Sequence, residues 1–394
     1  MEGDFIKIHK WLLPFSWIYG LGVGFRNELF DLGILKSRSF DVPVISVGNI
    51  TVGGSGKTPH VEYLVELLKD IAQVAVLSRG YKRKSHGYVL ADKDTPVHEI
   101  GDEPFQMKQK YPQTYVAVDR KRCHGIDRLT NDEPTKDTDI ILLDDAFQHR
   151  YVKPGINILL VDYHRLIIYD TLLPAGRLRE PLSGKHRADI VIITKCPKDL
   201  SPIDYRVLSK AMELYPFQEL YFTTLEYCDL QPVFNDTGKQ QIPLAAVKGK
   251  NILLLTGIAS PQQLELDLEG YAENKNIVSL SFPDHHAFTK KDAARINETF
   301  SEMEEPKIVV TTEKDQSRLI GLEGLDDAVR HNTYALPIKV KFMLDKEELF
   351  NDKIISYVRK NSRNSILAKR KNDHKPKDGN HSGNRPRTIS FRDN

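Results

Sequence analysis

The chain has 394 residues, 40% of them apolar, and a formal net charge of +2. That length holds about two domains and the apolar share is that of a soluble globular protein. Residues 361–394 carry nine Lys/Arg against three Asp, a surplus of +6 that leaves −4 on the remainder and argues against a nucleic-acid-binding body.

The first 35 residues differ from the rest. Trp11 to Phe25 is a fifteen-residue run without a charge. As a helix it would span about 22 Å, short of the roughly 30 Å hydrocarbon core of a bilayer. Lys7, Lys10, Arg26, Lys36 and Arg38 flank it, and it carries Trp11, Trp17 and Tyr19. Residues 1–35 thus read as a segment lying in a membrane face. The alternative is an apolar helix packed on the core.

Next comes Val42-Pro-Val-Ile-Ser-Val47, a β-branched run that reads as a buried strand. The glycine-rich stretch Gly48-Asn49-Ile50-Thr51-Val52-Gly53-Gly54-Ser55-Gly56-Lys57-Thr58-Pro59 follows. Val61, Leu64, Val65, Leu68 and Ile71 then fall at helical spacing. Strand, glycine loop and Gly-Lys-Thr opening a helix are the context of a phosphate-binding P-loop. Backbone N–H groups of Thr51 to Thr58 would cradle phosphates at a helix N-terminus. Lys57 would reach the β- and γ-phosphates, and the Thr58 hydroxyl would bind Mg²⁺. Thr51 stands where the usual pattern has glycine, so a plain glycine-rich turn is the competing reading.

Beyond this helix, short apolar runs alternate with polar helical stretches: Val74–Leu77, Tyr115–Val118, Ile140–Leu143, Ile156–Val161 and Ile190–Ile193. The alternation predicts an α/β fold, a P-loop NTPase-like parallel sheet with helices on both faces. Each run ends in a polar cluster, where open parallel sheets bind ligands. Ile140-Ile-Leu-Leu-Asp144-Asp145 has the Walker B pattern, whose acids hold Mg²⁺ opposite the P-loop hydroxyl. Gly101-Asp102-Glu103-Pro104 lies between these motifs. Its carboxylates would activate a hydroxyl, cap a helix or face solvent.

Leu220-Tyr-Phe-Thr-Thr-Leu225 and Ile242–Val247 around the Asn235–Gly238 turn read as a β-ribbon. That ribbon, 223–248, would join the P-loop domain, 36–222, to a second, smaller α/β domain, 249–350. The second domain has strands at Ile252–Leu255, Ile277–Leu280 and Ile308–Val310, and a weaker one at Ile338–Val340. Thr289 and Asp292 form a capping-box pattern. His285-His286 is either a metal pair or an acid/base group. The tail, 361–394, reads as disordered. Cys123, Cys196 and Cys228 match no metal or redox spacing and fit a reducing cytosol.

Seven blocks in order resemble the tetraacyldisaccharide 4′-kinases, the lipid A 4′-kinases of Gram-negative bacteria. They are Val47-Gly48-Asn49 with Gly53 to Pro59, Ser78-Arg79-Gly80-Tyr81, Gly101 to Pro104, Asp144-Asp145-Ala146-Phe147-Gln148-His149-Arg150, Leu173 to Glu180, Asp284-His285-His286 and Thr312-Glu313-Lys314-Asp315. The Thr51 departure matches this family's own P-loop form, and Ala146 stands where the family usually has glycine. The resemblance implies an enzyme using ATP and Mg²⁺, with Thr58, Asp144 and Asp145 toward the metal. It implies phosphorylation of the 4′-hydroxyl of a tetraacylated glucosamine disaccharide 1-phosphate, an anionic glycolipid. It places the enzyme on the cytoplasmic face of the inner membrane, peripheral or monotopic. Asp102 maps to the base and His285 to its partner, acting as one unit across the cleft between the domains. Arg79, Arg120, Arg122, Gln148 and Arg179 are substrate candidates. Two other classes stay open. One is a P-loop GTPase or metal-insertion ATPase reading the base through Thr194-Lys195. The other is a nucleotide-sensing membrane adaptor without turnover.

Overall fold

The structure is a computed structural model that describes residues 8–258, 261–272, 276–284, 286 and 288–362. His285, and the expected disordered tail from residue 363 onward, lie outside the described residues. The first lobe runs through α1 (Leu13–Asp31), β1 (Val44–Gly48), α2 (Lys57–Leu68), β2 (Val74–Ser78), β3 (Val89–Ala91), α3 (Val97–Ile100) and α4 (Asp102–Lys110). It continues with β4 (Tyr115–Val118), α5 (Arg122–Asn131), β5 (Ile140–Asp144), β6 (Ile156–Asp162), β7 (Ile190–Thr194), α6 (Pro202–Met212) and β8 (Glu219–Tyr227). The second lobe holds β9 (Gln231–Pro232), β10 (Asn251–Thr256), α7 (Gln262–Ala272), β11 (Ile277–Ser281), α8 (Lys290–Glu302), β12 (Lys307–Thr312), α9 (Glu313–Leu319), α10 (Asp327–Asn332) and β13 (Thr333–Leu336). The chain then returns through β14 (Ile338–Phe342) and α11 (Glu347–Asn361).

The large sheet has the order β14-β8-β7-β6-β1-β5-β2-β4-β3. It is parallel from β8 to β4, with antiparallel strands at both edges. Every residue of β1 is buried, as a strand covered on both faces requires. Ile45 and Val47 pack with α2 and α11 on one face. Val44 packs with Ile126 and Leu129 of α5 on the other. The strand order reverses at β1, between β6 and β5. A parallel sheet of this kind binds its ligand at the carboxyl ends there. The expected fold class stands, including the smaller lobe, whose sheet runs β11-β10-β12-β13-β9.

The local hairpin expected between Leu220–Leu225 and Ile242–Val247 does not form. Leu220–Leu225 lies inside β8, and β8 pairs antiparallel with β14, Tyr227 facing Ile338 and Thr223 facing Phe342. Leu244–Val247 is a short 3-10 turn, and Leu230 and Ile242 make a single bridge. Pro243 has no N–H to give to a ladder there. Phe342 is drawn to the first lobe by aromatic packing on Phe350 and Tyr63, with ring centroids 4.4 and 5.1 Å apart. The connection is thus a two-stranded one made by the outgoing and the returning chain.

The N-terminal segment packs on the first lobe, as the second of its two readings expects, and keeps an exposed apolar side. One side of α1 docks on the first lobe. Ser16, almost wholly buried, donates to the Leu172 carbonyl at 2.9 Å and accepts from the Ala175 N–H at 2.9 Å. Tyr19 donates to the Arg179 carbonyl at 2.7 Å. The other side stays exposed and apolar, with Trp17 at 71% and Leu21 at 75% accessible, next to Phe15, Ile18 and Phe25. No helix among the described residues is long and apolar enough to cross a membrane.

Candidate active site

The P-loop leaves β1 at Gly48, where a Cβ would lie 2.8 Å from the Phe147 backbone nitrogen. Thr51 is bridged to Leu178, accepts a 3.2 Å hydrogen bond from Asn49 Nδ2, and has no positive φ. A side chain fits there, which explains the tolerated departure from glycine. The Val52 N–H donates to the Arg177 carbonyl at 2.9 Å. Gly53 and Gly56 have φ of +118° and +78°, the region where L side chains are rare. Gly54 and Ser55 are pinned from β7: Lys195 Nζ bonds the Gly54 carbonyl, and Thr194 Oγ1 donates to the Ser55 carbonyl at 3.0 Å. Lys195 also pairs with Asp162 at 2.7 Å. Burial opposes ionisation of Asp162, yet its bonds to His164 and Lys195 hold its pKa at about 2. His60 Nδ1 lies 2.7 Å from the Gly56 carbonyl. Lys57 and Thr58 open α2 directly after this pinned loop.

Register brings the second motif to the first. Val47 faces Asp144 across β1 and β5. The chain then turns at Asp145, whose φ of +48° is strained for a non-glycine residue. The two neighbouring carboxylates have opposite electrostatics. Asp144 Oδ2 accepts from Ser78 Oγ at 3.2 Å, while Oδ1 is buried with no hydrogen-bond partner. Burial, helped by the Asp145 charge, pushes the Asp144 pKa up to about 6. Burial would raise Asp145 too, but Lys57 at 3.6 Å and Arg179 at 3.3 Å outweigh it and hold its pKa below the usual range. An orphaned, desolvated carboxylate oxygen beside a second carboxylate fits a divalent cation. Two carboxylates and the Thr58 hydroxyl are the share a protein gives Mg²⁺ when phosphates supply the rest.

The substrate candidates fall into two groups. Arg79 and Arg120 are exposed at the ends of β2 and β4. Arg120 lines an open cavity of about 600 Å³ with Arg83, His86, Lys121 and His124. The other three are engaged in the fold. Arg122 is buried, and its η nitrogens donate to the carbonyls of Asp119 at 2.8 Å and Asp144 at 3.1 Å. Gln148 Nε2 bonds the Asn49 carbonyl at 2.5 Å and Glu180 at 3.2 Å. Glu180 is buried and paired with Arg187 at 2.8 Å. Arg179 reaches both oxygens of Asp145. Arg122 and Gln148 thus brace the loops of the Asp pair and the P-loop from behind.

Asp102 is the first residue of α4. Gly101 precedes it at φ +93°, where a Cβ would meet the Tyr81 carbonyl at 2.9 Å. Asp102 faces the second lobe: Arg318 donates to its Oδ2 from Nη2 at 2.5 Å and Nε at 3.1 Å. Sequence reasoning missed Arg318. The signal was its place three residues after Asp315 on one helix. Of the His285-His286 pair, His286 is described, and its Nε2 lies 3.0 Å from Asp292, the acidic member of the α8 capping box. The capping box of Thr289 and Asp292 is present as expected.

The sequence profile of the tetraacyldisaccharide-1-P 4′-kinases matches residues 8–359. A tetraacyldisaccharide 4′-kinase of Phocaeicola vulgatus is 62% identical over 370 residues, which is 93% of this chain and 100% of the relative. One from Bacteroides thetaiotaomicron is 53% identical over 95% of this chain and 100% of its own length. Among solved structures, LpxK from Aquifex aeolicus in complex with ATP superimposes with a TM-score of 0.69 at 33% identity, covering 89% of this chain and 99% of that one. Over its P-loop, its paired aspartates and nearly its whole length, this chain belongs to the tetraacyldisaccharide-1-P 4′-kinase family.

Proposed function

We propose a division of labour for the family reaction, transfer of a phosphoryl group from ATP to the 4′-hydroxyl of tetraacyldisaccharide 1-phosphate. The carrying observation is the meeting of Lys57, Asp145 and the unpaired oxygen of Asp144 at the carboxyl ends of β1 and β5. The loop from Thr51 to Thr58 cradles the triphosphate, with backbone N–H groups offered from Gly53 onward and the Val52 N–H tying the loop to Arg177. Lys57 leaves Asp145 for the phosphates and spreads the charge that develops in the transfer. Asp144, Asp145 and Thr58 hold Mg²⁺, which when bound neutralises the phosphate oxygens. Arg179 keeps Asp145 ionised for that task.

Asp102 takes the proton of the sugar hydroxyl, with His285 as the partner that receives it. A carboxylate is a weak base, and an imidazole partner supplies the missing basicity. Arg79 and the basic cavity around Arg120 suit the charged headgroup. The apolar side of α1 suits the acyl chains and a bilayer surface, with Trp11 and Trp17 at the depth where indoles settle. On this reading the enzyme sits on the cytoplasmic face of the inner membrane, peripheral or monotopic, where ATP is available.

The test is acceptor-dependent transfer. Incubated with γ-labelled ATP, Mg²⁺ and the disaccharide lipid, the protein yields a product one phosphate heavier. Lys57→Ala and Asp102→Asn both lose it. Nucleotide hydrolysis that ignores the lipid would instead support the GTPase-like reading. Binding without turnover would support the adaptor.

A further inference from the structure

The Thr312-Glu313-Lys314-Asp315 block of the second lobe has no part in the scheme above. Its partners are on α4, the helix that begins with Asp102. Glu313 pairs with Lys110 at 2.9 Å. Lys314 lies 3.6 Å from Glu103 and 3.0 Å from Asp284. Asp315 is wholly buried and pairs with Arg318 Nη1 at 2.9 Å. Its other oxygen accepts from the Gly257 N–H at 2.9 Å and from Thr312 Oγ1 at 2.8 Å. The Arg318 side chain is only 6% exposed, and its remaining nitrogens cross the cleft to Asp102. The seam continues into the P-loop helix, since Lys110 also pairs with the buried Glu62 of α2 at 2.7 Å.

We infer that Arg318 is a positioning residue for the proposed base: held by Asp315, it fixes the Asp102 carboxylate from the opposite lobe. The inference rests on the reading of Asp102 as that base. Both guanidinium nitrogens act on Oδ2. The grip therefore sets the plane of the carboxylate, and with it the direction of Oδ1. A guanidinium stays protonated in proteins, so it does not compete for the proton in transfer. Its charge also favours the carboxylate form. A lysine there would bring a point charge without the fork that fixes the plane. The block from Thr312 to Arg318 then has one task, which is to deliver the second lobe onto α4 in the register that aims Asp102. Among the described residues, the elements packed around Asp102 carry Glu103 and Lys110 on α4, Glu313, Lys314, Asp315 and Arg318 on α9, Asp284 after β11, and Arg83 in the loop that packs on Gly101.

The experiment measures kcat, the KM for ATP and the pH profile in the full-length enzyme. It compares wild type, Arg318→Met, Arg318→Lys, Asp102→Asn and the double variant Asp102→Asn/Arg318→Met. Arg318→Met is expected to lower kcat about 10²-fold, the usual cost of a misplaced catalytic group, and to leave the KM for ATP unchanged. The acid limb of its kcat profile moves to higher pH, because the carboxylate has lost a cation. Arg318→Lys restores the limb but only part of kcat. In the Asp102→Asn background the Arg318→Met change costs nothing further, because Arg318 acts only through Asp102. Should Arg318→Met fail to fold, with Asp315 left buried without its cation, Arg318→Lys alone and combined with Asp102→Asn carries the same cycle. Multiplicative losses, or wild-type kcat in the Arg318 variants, overturn the inference. If Asp102→Asn turns over normally, the base reading falls and takes this inference with it. If Asp102→Asn is dead while the Arg318 variants are normal, only the inference falls.

Discussion

Two of the places where the molecule pairs carboxylates with cations are built differently. At the ends of β1 and β5, strand register sets Asp144, and Asp145, Lys57 and Arg179 gather beside it within one lobe. At the seam of α4 and α9, Asp102, Glu103 and Lys110 meet Arg318, Lys314 and Glu313 across two lobes. A strand buried on both faces cannot slip by one residue without inverting its side chains, so the first arrangement is as rigid as the core. The second exists only while the lobes are docked. On the proposed reading, the difference separates holding the nucleotide, assigned to the first lobe, from aiming the base, which needs both lobes.

The sharpest way to break that comparison is at Lys57. Lys57→Ala should bring phosphoryl transfer to background and abolish the contribution of the P-loop to ATP affinity, with the melting temperature maintained. Near-normal single-turnover transfer would remove the nucleotide site from the sheet ends. Asp102→Asn comes next, with an expected loss of about 10²–10⁴ in turnover, the range for a general base. ATP binding by fluorescence titration should survive this change, as it does not in the P-loop variant. Equal loss of ATP binding in both would mean the two places are not separate.

A smaller effect tests the electrostatics of the sheet ends. The Asp144 pKa is pushed up to about 6 by burial and by Asp145. The folded protein therefore binds a proton there between the ordinary carboxylate range and pH 6 that the unfolded chain does not. Stability from this group is present at low pH and lost as pH rises through about 6. In metal-free protein, Asp144→Asn should then raise the melting temperature at pH 7.5 (about 1.5 units above that value) and change little near pH 4. In the native enzyme, apparent Mg²⁺ affinity should weaken as pH falls below about 6, where Asp144 takes up its proton. A flat pH dependence in both measurements would contradict the assignment of Asp144 to the metal.

The smallest effect on chemistry should come from the exposed apolar side of α1 rather than the side docked on Arg179. Replacing Trp17 and Leu21 by serine leaves the docked side, Ser16 and Tyr19, in place. Sedimentation with anionic vesicles should fall, while transfer to an acceptor presented in detergent stays near wild type. Unchanged vesicle binding would assign the membrane contact to another surface.

The site was legible where its chemistry is contiguous. A glycine loop between a strand and a helix, and a strand ending in two aspartates, carry their geometry in their spacing, because strand direction alone puts both at one edge of a parallel sheet. Much of the support was not legible. Arg122 and Gln148 read from the sequence as substrate candidates, and in the fold they brace carbonyls of the loops that carry the site. The partner of β8 was also hidden, since its hydrogen bonds go to β14, which the chain reaches only after building the second lobe. Short β13 and two-residue β9 are held by their neighbours rather than by any apolar pattern of their own.

By itself, then, the sequence determined the class of sheet, the P-loop and the acid pair, each specified by residues within one or two turns of chain. Only the tertiary structure decided which cation meets which carboxylate. Arg318 and Asp102 are 216 residues apart, and their contact depends on two folded surfaces docking. Charge is a long-ranged and unspecific attraction, so a list of acids and bases names every pairing and selects none. The selection comes from packing, which buries Asp315 beneath Arg318 and leaves the guanidinium one direction in which to reach.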